Sequence, residues 1–144
     1  MNFEGWKDCI EEGEAFKSFK DKGRVKSLIE TAKSRINLIN EITKENCNFV
    51  FEDYYISILE LLQALVILDG FKVKNHVCLG FYLRDVLGKD ELFRIFDDLR
   101  FKRNALTYYG NQMDFETCKE AIKKSKKLIN ELNSIIIKRL KNTN

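Results

Sequence analysis

The stretch FEDYYISILELLQALVILDG, residues 51–70, decides the fold. Wound at about 100° per residue, it carries apolar side chains almost all round, so it reads as a helix enclosed by others. Glu52, Asp53, Glu60 and Gln63 interrupt the apolar run from Phe49 to Leu68, which makes it a buried core helix and not a membrane span. Gly70 follows as a C-terminal cap.

A helix of this kind needs neighbours, and the flanking sequence supplies them. Downstream, Asn75 is a good N-cap for a helix that ends near Gly88. Another helix is predicted from Asp90 to about Tyr108, with Gly110 after it. The last is predicted from Asp114 to about Leu140, with Cys118, Ile122, Ile129, Leu132 and Ile136 on one face. Upstream, Val25, Leu28, Ile29, Ala32, Ile36 and Ile39 recur every three or four residues between about Asp21 and Thr43. Asn2 to Phe19 is expected to be a short or irregular helix, with Trp6, Ile10 and Phe16 on its apolar side. The chain has no proline, so long helices run unbroken, and the alternation expected of strands is absent. The expectation is an all-α, antiparallel up-and-down helical bundle of about five to six helices. One domain is expected over 1–144, with 1–20 as an N-terminal helix or extension and 21–140 as the core bundle.

Composition narrows the function classes. Of 144 residues, 44% are hydrophobic and 33% charged, which excludes a disordered chain. A net charge of +3 permits a nucleic-acid partner without demanding one. The four cysteines form no C-x-x-C pair and there is one histidine, so no metal site and no cofactor are expected. The cysteines sit in apolar stretches, as in a reducing cytoplasm, although their even number leaves a disulfide open. Charges near the N-terminus interrupt what would be the apolar core of a secretory peptide.

One residue departs from the helical pattern. In DDLRFKRNALTYYG, residues 97–110, Arg103 falls within the stripe formed by Leu92, Phe96, Leu99 and Leu106. A buried guanidinium needs an acidic partner, a water-filled cleft or an interface. Glu60, the odd carboxylate of the central helix, is the expected partner in a supporting ion pair. The functional alternative is a polar seam where Arg103 meets a phosphate.

The segment from Asp97 to Gly110, followed by a polar turn and a lysine-rich helix, resembles the signature segment of HEPN domains. The stretch FEDYYISILELLQALVILDGFKVKNHVCLGFYL similarly resembles the family's central helix, glycine turn and next helix. The likeness covers about Arg24 to Leu140 and is greatest to small stand-alone archaeal and bacterial members. It implies a helical bundle, usually a homodimer, and in many members a metal-independent endoribonuclease, often a toxin. The family motif is an arginine, usually followed by a polar residue, with a histidine four to six residues beyond. Arg103 and Asn104 match its first part, and the histidine is replaced where Tyr108 and Tyr109 stand.

The replacement bears on chemistry. Metal-independent RNA cleavage needs a base, an acid and positive charge on the phosphate. Tyrosine, with a pKa of about 10, is a poor base at neutral pH, but it donates hydrogen bonds and stacks on bases. The candidate catalytic residues are therefore Arg103, Asn104 and Tyr108, and the candidate nucleic-acid contacts are Arg100, Lys102, Arg103 and Tyr109. His76 reads as a helix-terminal residue with a local hydrogen bond, unless folding brings it to Arg103. The lysine run 119–127 reads as a solvated face, with a phosphate-contacting surface as its alternative. Three functions stand. The first is a dimeric RNA- or nucleotide-binding protein with a degenerate nuclease motif, in a toxin–antitoxin-like setting. The second is a non-catalytic module that pairs with a minimal nucleotidyltransferase partner, and the third is a purely structural helical dimer.

Overall fold

Gly70 and Gly110 end two helices in the left-handed region, at φ 85° and 66°, where a side chain would be strained. Around these stops the computed structural model, which describes residues 2–142, lays down six α-helices. They are α1 (Trp6–Glu11), α2 (Lys22–Asn37), α3 (Cys47–Leu68), α4 (His76–Phe81), α5 (Asp90–Tyr109) and α6 (Phe115–Asn142). Two short strands, β1 (Ala15–Lys17) and β2 (Phe71–Val73), complete the set. The fold is an all-α helical bundle with this small ribbon on it.

Caps start the helices where side chains can reach the first free backbone N–H groups. The Asp21, Asn75 and Asp114 side chains accept from the backbone N–H groups of Arg24, Cys78 and Thr117. The α3 helix is central, packed between α2 and α6. Phe51, Tyr55, Ile58, Leu62 and Leu65 are fully buried along it. Leu128 and Leu132 of α6 and Phe96 and Leu99 of α5 close the same apolar cluster. The α4 helix runs on into a π-helical turn, Tyr82–Val86, before α5 begins. Gly80 lets α4 approach α5 closely, since a Cβ there would meet Phe96 at 3.3 Å and Phe93 at 3.4 Å.

The structure departs from expectation at several places. The first segment is a six-residue helix followed by β1, which pairs antiparallel with β2, Phe16 opposite Lys72. Strands this short cannot show an alternating pattern. Residues 2–20 are tied to the bundle: Trp6 packs edge-on against Phe71 (5.4 Å) and Tyr82 (5.5 Å). The second helix ends at Asn37 rather than near Thr43, and residues 38–46 are irregular. There the Asn46 side chain and Thr43 bond each other's backbone N–H groups, a local alternative to helix.

Cys9 and Cys78 form a disulfide that ties α1 to α4. Cys47 and Cys118 are buried free thiols. Burial, then a hydrogen bond with Cys47, pushes the Cys118 thiol well above its ordinary range, so it is inert. At the far end of α3, Asp69 accepts from the Tyr82 hydroxyl and pairs with Arg139 Nε at 3.0 Å, joining α3, the π-helical turn and α6. Among the described residues, no helix is long and apolar enough to cross a membrane.

Candidate functional site

Tyr55 lies where α3, α4 and α5 meet. Its ring stacks on Phe96 of α5 with centroids 6.0 Å apart and the planes nearly parallel. Phe51, one turn back on α3, tilts against it at 6.5 Å. The Arg103 guanidinium lies over the Tyr55 ring, 5.6 Å from its centroid, which is cation–π geometry. On the hydroxyl side, Tyr55 Oη and His76 Nδ1 are 3.3 Å apart. One buried tyrosine thus carries an arginine on its face and a histidine at its hydroxyl.

The helix starts explain why His76 comes here. Asn75 caps α4 and also donates to Glu14 at 3.1 Å, so the first turn of α4 is held from two sides. His76, the first residue of that turn, is partly buried against α3. Its pKa is held below the ordinary value, first by burial and then by the Arg103 and Arg100 charges. Burial pushes the Tyr55 hydroxyl far up, and the same two arginines only partly offset this. At neutral pH the pair is therefore a protonated phenol beside a neutral imidazole. A neutral imidazole next to fixed cations can accept a proton, and the cations oppose its staying charged.

The structure changes the roles given to several residues. Glu60 does not pair with Arg103. It accepts two hydrogen bonds from Arg35 of α2, both at 3.2 Å. Helical periodicity puts Glu60 on the polar side of α3, but that side faces α2. Arg103 makes no ion pair among the described residues. Arg100 does, at 2.9 Å to Asp97, and it stacks over Phe101 at 4.8 Å. Lys102 points elsewhere: it pairs with Asp98 and lines a shallow hollow against Glu116 and Glu120 of α6. Asn104 is partly buried one residue from Arg103. Tyr108 and Tyr109 are 69% and 76% exposed. Tyr108 lies close enough to perturb Tyr55, but it and Tyr109 are roughly 140° and 120° round α5 from Arg103, on other sides of the helix. The lysine run on α6 is partly engaged locally, with Lys119 on Glu116, Lys127 on Glu91, and Lys126 over the Tyr54 ring.

His76 is the site residue that sequence reasoning undervalued, whereas Tyr55 is fully buried in the core and meets the site through its ring face and hydroxyl. Tyr55 follows Phe51 by one turn on α3, which puts both on the face that receives α5. The N-cap at Asn75 fixes where the histidine starts its helix. Neither signal gives the approach of His76 to Arg103, because it depends on how α4 docks. Among the described residues no group of histidine, cysteine and carboxylate side chains is arranged to hold a metal ion. The arrangement offers phosphate-binding cations and a neutral imidazole, with exposed aromatic rings on other sides of α5. No family model, no curated protein and no solved structure matches the chain.

Proposed function

We propose that the protein is a HEPN-type, homodimeric binder of single-stranded RNA, with the surface of α5 around Arg103 as the RNA contact. One observation carries this: Arg103 has no carboxylate partner among the described residues and shares Tyr55 with His76. An arginine without an ion pair beside a neutral imidazole is suited to a phosphodiester. Arg100 adds a second cation, tempered by Asp97. Phe101, Tyr108 and Tyr109 are exposed rings well round α5 from Arg103, so unstacked bases can lie on them where the strand crosses the helix. In this reading His76, coming from α4, takes the part that the tyrosines cannot, as the general base towards a 2′-hydroxyl. A toxin–antitoxin-like setting suits such an RNA partner, whereas the Cys9–Cys78 bridge is a bond that forms and persists in an oxidising compartment and weighs against the cytoplasmic expectation.

Binding and cleavage of a labelled single-stranded RNA by wild type, Arg103→Ala, His76→Ala and Tyr108→His test the proposal. Loss of a phosphate contact should weaken binding by Arg103→Ala about tenfold or more at low salt. Cleavage, where seen, should vanish in His76→Ala with binding kept. If wild type and Arg103→Ala bind RNA equally poorly, the RNA reading is wrong. If Tyr108→His alone gains cleavage, the base belongs on α5 and His76 is not part of the chemistry.

A further inference from the structure

A second feature lies away from Tyr55. The α2 and α6 helices both pack on α3 but leave a furrow between them, floored by Leu61 and Leu68. Two open cavities of about 450 and 460 Å³ lie along it and share Ile29 and Leu140, so they are parts of one trough. The α6 wall explains why it stays apolar. Ile136 is 2% exposed against the core, but its neighbour Ile137 is 52% exposed. The apolar stripe of α6 is therefore wider than α3 covers, which marks a helix with a second apolar contact to make.

We propose that this furrow docks an amphipathic α-helix of a partner protein, apolar along one face and acidic along its flanks. Its walls are helices, whose backbone groups are already satisfied, so an extended peptide would find no backbone partners there. A helix bonds its own backbone and needs only side-chain contacts. The length fits too: the sixteen residues of α2 span about 24 Å, room for some four helical turns. A helix seated here would flank α3 beside α2 and α6, completing a four-helix arrangement on that side.

Charge decides between a partner and a second copy of this chain. The rim carries Lys22, Lys26 and Lys33 against a single carboxylate, Glu30, and α6 contributes only asparagines, Asn130 and Asn133. Two such rims face to face would repel, whereas glutamate or aspartate flanks would be drawn in and oriented. Leu61 lies roughly 120° round α3 from Tyr55, so groove and RNA surface are separate and fail independently.

The test uses the full chain and a fluorescent designed peptide of about 18 residues, a four-to-five-turn helix, with leucine at helical spacing and glutamate on the flanks. One twin carries lysine flanks and another has serine for leucine. Anisotropy should show binding of the first peptide, with both twins at least about tenfold weaker. Ile137→Asp should weaken it by a similar factor, and Lys26→Glu/Lys33→Glu should switch preference to the lysine-flanked twin. Both variants change exposed side chains, and circular dichroism checks their folding. Should Ile137→Asp unfold, the charge reversal alone carries the test. Equal binding of acidic and basic peptides, or binding of none, overturns the proposal. So does a wild-type dimer that sedimentation shows falling to monomer in Ile137→Asp, because a second copy would then fill the groove.

Discussion

Reducing the Cys9–Cys78 bridge should destabilise the protein by an amount its position in the chain sets. The two cysteines are 69 residues apart, so the bond closes a ring that contains α2, α3 and both strands. Opening it frees the unfolded chain, and the loop-entropy relation for about 70 residues gives about 4.4 kcal/mol at 25 °C. With an unfolding entropy of about 2.1 cal/mol/K per residue, this corresponds to a fall in Tm of about 10–15 °C. Both cysteines are fully buried, so reduction leaves two thiols in an apolar place and adds no unpaired charge. The assay is thermal and urea unfolding of oxidised protein and of protein reduced in denaturant and refolded with a phosphine. Alkylation and intact mass would report two free thiols in the first and four in the second. The oxidised form should also unfold with a smaller urea m-value, because its denatured state stays more compact. Melting temperatures within about 2 °C of each other would refute the loop-entropy reasoning. Four alkylated thiols in the protein as purified would refute the bridge itself.

Further predictions concern charges. Arg35→Ala strands the mostly buried Glu60 carboxylate and should cost about 1.5–3 kcal/mol. Arg103→Ala, with no carboxylate to strand, should cost less than about 1 kcal/mol; the reverse order in chemical denaturation would restore the Glu60–Arg103 pair. His76 is the only histidine, so its imidazole gives an unambiguous NMR titration, with its midpoint expected below the ordinary value and raised by Arg103→Gln. Because the folded-state pKa is depressed, the unfolded chain takes up the proton first as pH falls. Stability should therefore decline from about pH 6.5 downward, through the folded-state value, and be fully present above that window. A midpoint at or above the ordinary value would remove burial and the two arginines as its neighbours.

Much of the frame was legible in the sequence. Residues 51–70 are apolar on nearly every side, and α3 lies at the centre for that reason. Asn75, Asp90 and Gly110 mark boundaries that local chemistry sets, so they fall where expected, within a residue. The pairings were not legible. Glu60 and Arg103 each stand out against an apolar helix, but periodicity gives a direction about one axis, not the identity of the helix met there. Arg35 was closer. Lys102, beside Arg103 in sequence, turns to α6 for the same geometric reason. The approach of His76 to Tyr55 depends on the docking of α4, set in part by Gly80 against Phe93 and Phe96. The three-residue strands are specified by each other and not by their own residues.

The pairing of β1 with β2 also sets an order of events as the chain is made. Residues 15–17 leave the ribosome before α2 and α3, but their partners at 71–73 come only after the whole of α3. Until then Ala15 and Cys9, both buried in the finished fold, have nothing to be buried against. The N-terminal segment must wait as a loose tether while α2 and α3 find each other, since distant contacts form only after the loop between them is closed. Once β2 and α4 emerge, α1 and β1, made before α2 and α3, become among the last elements to be fastened, and the bridge to Cys78 seals the ring around helices already in place.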